Sequence, residues 1–131
     1  MRWAGPILIL VLVLGMGYQL LVLGGVLSSA NTWGGQLTDE TSRKVGVIVS
    51  LVIQTAILFL LLMRLGKLKT SLSAQALTRW MYGIAIIFSL NTLGNMMANN
   101  ALEQAIGTPL TGISAILFFW LAANSSAGKR Q

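Results

Sequence analysis

The chain has 131 residues, of which 55% are hydrophobic and 9% charged, and its mean hydropathy is +0.77. Soluble domains carry about 25% charged residues and disordered segments combine low hydrophobicity with high net charge, so the composition excludes both classes. Nine Lys and Arg against three Asp and Glu give +6, and the absence of His and Cys removes His-ligated haem, Cys or Cys/His zinc sites, thiol–disulfide exchange and Ser-His or Cys-His nucleophiles.

Charges leave long silent stretches, and four apolar segments lie within them, at 5–27, 45–63, 80–98 and 109–123. A helix crosses the hydrocarbon core with about 17–25 residues. The first three segments meet that length; the fourth does so by reaching Ser125 or by lying with little tilt. The runs do not alternate and are too long for barrel strands. The expected fold is all-α, a four-helix transmembrane bundle forming one domain over residues 1–131.

The first segment has a second reading. Met1-Arg2-Trp3 followed by the apolar run 7–14 resembles a signal peptide, with Ser28-Ser29-Ala30 as a cleavage site. Cleavage would leave three spans; the run continues through 20–23, longer than a usual signal core, which favours a retained helix. Gly15, Gly17, Gly24 and Gly25 here, with Gly94 and Gly112 later, suit close helix approach. Gly24-Gly25 alternatively loosens the outer end of this helix. Ahead of the second segment, Thr38-Asp39-Glu40 offers a cap and two carboxylates to the positive end of a helix. Ser73 is positioned to cap the third. Thr108-Pro109 places a capping hydroxyl before a proline at the first turn of the fourth. Trp3, Trp33, Trp80 and Trp120 fall near span ends, as interfacial anchors do.

Orientation follows from the basic residues. Arg2, Arg64, Lys67, Lys69, Arg79, Lys129 and Arg130 fall on one side, whereas Arg43 and Lys44 fall on the other. The positive-inside rule then puts both termini and the 64–79 connection in the cytoplasm, as for a multi-pass protein of the bacterial inner (plasma) membrane. The basic balance is a topology signal. With no basic face on a folded domain, nucleic acid is not an expected partner. The expected partners are the lipid bilayer and either another membrane protein or a second copy of this chain.

Inside a bilayer each polar side chain must find a partner or line water. Asn91, Asn95 and Asn99, followed by Glu103, are spaced four apart and are expected on one face of the third helix. Gln19 in the first segment, Gln54 in the second and Thr111 in the fourth complete a candidate polar cluster, with Gln54 near mid-membrane and the others in its outer half. One reading is interhelical glue, each contact contributing on the order of 0.6 kcal/mol. The other is a small ligand site or vestibule open to the outside. Glu103 alone reads as a solvated loop residue. Met16 and Met96-Met97 read as packing, and the Asn124-Ser125-Ser126 triplet, on the cytoplasmic side, as a chance glycosylation motif.

The stretch Asn91-Thr92-Leu93-Gly94-Asn95, then Glu103, then Thr108-Pro109-Leu110-Thr111, resembles a pattern in small, uncharacterised four-helix bacterial membrane proteins. The resemblance covers about the last third of the chain. It implies that Asn91, Gly94, Asn95, Glu103 and Pro109 belong to a common core, and assigns them no role. Small multidrug exporters, another compact four-span family, depend on a Glu in the first helix; here that region offers only Gln19. Three functions follow in order of expectation: a non-enzymatic accessory or interaction subunit of a membrane assembly; a homo-oligomeric small-molecule transporter or channel with an outward-facing amide-lined site; and an enzyme on an apolar substrate. The third is disfavoured because Asp39, Glu40 and Glu103 fall outside the apolar segments, leaving no protected general base. No catalytic residue, cofactor or metal ligand is expected.

Overall fold

A computed structural model describes residues 2–29 and 37–124. Trp33, Ala30 of the cleavage motif, Ser125, Lys129 and Arg130 lie outside the described residues. Within them all regular structure is helical: α1 (Ala4–Leu23), α2 (Glu40–Arg64), α3 (Ala74–Met96) and α4 (Thr108–Ala123), the last entered through a π-helical turn, Glu103–Gly107. Three stretches are long and apolar enough to cross a membrane: Ala4–Leu23, Glu40–Arg64 and Glu103–Ala123, which joins the π-turn to α4. The fourth helix, α3, has 23 residues but carries Ser89, Asn91, Thr92 and Asn95 in its second half.

Helix ends follow local chemistry. Asp39 caps α2, its carboxylate accepting from the Ser42 backbone N–H at 2.9 Å and the Ser42 hydroxyl at 2.8 Å, while Glu40 pairs with Lys44 at 3.1 Å. α2 therefore begins five residues before the apolar run. Ser73 Oγ accepts from Ala76 N at 3.1 Å and starts α3 six residues early. At its C-terminus α1 stops at Leu23 rather than Leu27. Gly25 takes φ +77°, Gly25 N donates to Val22 O and Val26 N to Leu21 O, a left-handed closure that leaves Val26 and Leu27 off the helix. Gly66, at φ +71°, ends α2 in the same way.

The start of the last helix differs most from expectation. Thr108 does not cap it, because Gly107 (φ −63°, ψ −44°) and Thr108 are already helical. Helical backbone runs from Ala101 to Ala123, so Pro109 lies inside it. A proline ring lacks an N–H and crowds the carbonyl four residues back, here Ala105. That carbonyl sits in the π-turn, where the wider spiral makes room.

Residues from all four helices share one core, including Leu8 and Leu12 of α1, Leu61 of α2, Met81 of α3 and Phe118 of α4. Phe88 and Phe118 stack across the α3–α4 pair with ring centroids 5.4 Å apart. At the end of the molecule where α1 begins and α2 finishes, Leu65 packs over Gly5, where a Cβ would lie 2.8 Å from Leu65 Cδ1 and would make that side chain shift. Arg64 Nη2 donates to Leu121 O at 3.1 Å, fastening the end of α2 to the last turn of α4. Trp3, Trp80 and Trp120 all lie at least partly exposed toward this end. The core fills this half, and the polar side chains collect in the other.

Candidate functional site

Two polar constructions stand at the end opposite Arg64. The first couples α3 to α4. Thr111 Oγ1 donates to Gly107 O at 2.7 Å, accepts from Asn95 Nδ2 at 3.2 Å and lies 3.0 Å from Thr92 Oγ1. The Thr92 hydroxyl has one proton for Thr111 and for Phe88 O, the latter at 2.8 Å. Gly107 permits this: a Cβ there would lie 2.9 Å from both Cγ and Nδ2 of Asn95. Gly112 opposite Thr92 has ordinary clearance, with 3.6 Å from its Cβ position to Thr92 Cγ2.

The second construction starts the last helix. Asn100 Oδ1 accepts from Glu103 N at 2.8 Å, and Asn100 Nδ2 donates to Glu103 Oε2 at 3.1 Å. Gln104 Nε2 donates to Ala98 O at 2.7 Å and closes the connection from α3. Asn100 is thus the helix cap that the sequence reading missed. The signal was present: Asn-x-x-Glu is a capping-box spacing, with the acidic residue at the third helical position.

Between these constructions, α1 and α2 lies a cleft of about 400 Å³. One wall is a strip of α1 carrying Val11, Leu14, Gly15 and Tyr18. The facing wall carries Leu102, Glu103, Ile106, Leu110 and Thr111, and Phe88 and Leu12 close its base against the core. Gln54 of α2 enters beside Gly15, where a Cβ would lie 3.3 Å from Gln54 Oε1. That oxygen is buried and accepts no hydrogen bond, and the same is true of Gln19 Oε1. No Lys or Arg lines the cleft, so Glu103 is its one formal charge. At the same end, outside the spans, the Ser42 N–H and then the Ser42 hydroxyl hold the Asp39 carboxyl below the usual carboxylate range.

The seven cluster residues therefore separate. Gln54, Glu103 and Thr111 line the cleft, and Asn95 stands behind Thr111. Gln19 lies outside the lining, and Asn91 and Asn99 are exposed. A spacing of four advances about 40° beyond a full helical turn at each step, so the face drifts. α3 ends at Met96, before Asn99 is reached. Glu103 is not a loop residue but the first residue of the span-length stretch Glu103–Ala123. Of the glycines, Gly17 and Gly94 have no atom within 4 Å of a Cβ position, and Gly24 meets only carbonyls of its own helix.

Set against protein-family models, curated proteins and solved structures, the chain matches none of them.

Proposed function

We propose that this chain is a four-span protein of the bacterial inner (plasma) membrane that serves as a non-enzymatic accessory or interaction subunit of a membrane assembly. On this reading α3 is the fourth span; its 23 residues rise about 35 Å, enough for the hydrocarbon core. Arg2, Arg64, Lys67, Lys69 and Arg79 belong to the end where α1 and α3 begin and α2 finishes, which supports a cytoplasmic placement of that end. The motif running from Asn91 to Thr111 supports kinship with small four-helix bacterial membrane proteins.

One observation carries the interaction reading. Asn91 sits about 8 Å of helical rise before the end of α3, its amide exposed on the outer surface with no hydrogen bond to the chain. Leu90 and Leu93 beside it are also exposed. An amide on an apolar outer face at that depth calls for a partner from another helix. Native mass spectrometry after gentle extraction should give a fixed complex with a different membrane protein, lost in Asn91→Leu. A bare monomer overturns the reading.

Orientation is tested separately. The sequence holds no cysteine, so single Thr38→Cys and Ser71→Cys variants can be labelled in intact cells with an impermeant maleimide. Cys at 38 should react and Cys at 71 should not; the reverse result inverts the topology.

The cleft favours a second reading, a homo-oligomeric small-molecule transporter or channel. The core closes the Arg64 half of the molecule, so a polar path requires more than one copy. A homo-oligomer in the same spectrum, with flux abolished by Asn95→Ala and assembly retained, would select it.

A further inference from the structure

We propose that the cleft binds an amphipathic ammonium compound, its apolar body between α1 and α4 and its charged nitrogen at Glu103. This goes beyond the interaction reading and does not depend on it. The cleft has the volume of a small-ligand site, about 400 Å³ against the roughly 300–1,000 Å³ typical of such pockets. It takes one apolar chain or ring system rather than a whole two-chain lipid.

The lining is ordered along its length. From Val11 to Tyr18 the α1 wall rises about 10 Å. The base, formed by Leu12 and Phe88, belongs to the core and offers nothing polar. Gln54 stands beside Gly15 partway up, and Thr111, Tyr18 and Glu103 complete the polar lining, so a bound molecule has an apolar foot and a polar head.

Charge decides what the head is. Glu103 shares the cleft with no Lys or Arg, and the two basic residues at the start of α2 are engaged elsewhere, Lys44 with Glu40 at 3.1 Å and Arg43 Nε with Leu37 O at 2.6 Å. One carboxylate oxygen accepts from Asn100 Nδ2, a neutral donor that fixes the side chain and leaves its charge uncompensated. A lone carboxylate beside apolar walls repels carboxylates and phosphates and attracts a cation. Tyr18, Gln54 and Thr111 add groups that an N–H donor can meet. An ammonium on an apolar chain matches every part of this lining; a free amphipathic amine and the headgroup of an aminophospholipid both carry it.

The test uses the full chain in phosphatidylglycerol nanodiscs, titrated calorimetrically with octylammonium, octanol and octanoate. Octylammonium should bind most tightly and octanoate not measurably. Glu103→Gln, which keeps an acceptor for Asn100, should weaken octylammonium at least about tenfold and leave octanol unchanged. Leu110→Trp, which fills the cleft from α4, should abolish both, with helicity and monodispersity checked for each variant. Adding phosphatidylethanolamine to the discs separates the sources: competition identifies the lipid headgroup as occupant, and undiminished binding identifies a free amine. Equal binding of octylammonium and octanol, indifference to Glu103→Gln, survival of binding in Leu110→Trp, or no binding by any probe overturns the proposal.

Discussion

Replacing Gly107 by alanine separates two opposite effects that the fold makes measurable. The backbone there is helical, at φ −63° and ψ −44°, so alanine is conformationally welcome and removing a helical glycine should gain about 1 kcal/mol. The new methyl, however, would lie 2.9 Å from Asn95 Cγ, where non-bonded carbons prefer about 3.5–4.0 Å. Asn95 must retreat by more than half an ångström, which carries its 3.2 Å bond to Thr111 beyond useful range. The lost bond costs about 0.6 kcal/mol in a membrane setting, and a half-buried amide without its partner about 1–2 kcal/mol more. Gly83→Ala is the control, since nothing lies within 4 Å of its Cβ position. Reversible unfolding in mixed micelles should place Gly107→Ala below Gly83→Ala by about 2 kcal/mol, the propensity gain being common to both. In an Asn95→Ala background the difference should vanish, because the obstructing side chain is gone. Equal stabilisation by the two alanines in the parent chain would refute the packing argument.

Three further outcomes are expected. Phe118→Ala removes a fully buried ring that stacks on Phe88 and should cost about 3 kcal/mol in the same unfolding assay, more than any single polar deletion at Thr111. Gly66→Ala forces a side chain into φ +71° and should cost about 1–2 kcal/mol, although its Cβ would meet no atom within 4 Å. Asp39→Asn keeps a helix cap that cannot titrate. The lowered pKa of Asp39 means its capping contribution is complete above the ordinary carboxylate value and is lost as pH falls through the folded one, so parent stability should drop more steeply than the variant's below about pH 4.

Helices were legible in the sequence because apolar length and caps are local properties. Asp39 and Ser73 cap where their chemistry says they should. Gly24 and Gly25, just past the end of α1, illustrate a limit: composition shows small residues suited to close approach, but only backbone geometry tells that Gly25 serves a left-handed stop. The asparagine series shows another. A period of four imitates a helix face over two residues and departs from it over three, so Thr92 rather than Asn91 meets Thr111. The π-turn was illegible because Thr108-Pro109 carries a strong start signal of its own. The competing signal, Asn100 three residues before Glu103, sets the start eight positions earlier and leaves the proline inside the helix.

The π-turn also acts as a phase corrector for the wall it builds. Eight residues of regular α-helix would leave Glu103 and Thr111 about 80° apart around the axis. Accommodating one extra residue in the turn retards the phase by about 100°, which returns the carboxylate and the hydroxyl to nearly the same bearing. Both therefore face one cleft. The π-turn between Glu103 and Gly107 is thereby coupled to the chemistry of that wall. Relaxing it into ordinary α-helix with every residue kept would restore the offset of about 80° and turn the carboxylate away from Thr111, whereas deleting Ala105 as well would leave seven residues, about 700°, and keep the two on one bearing.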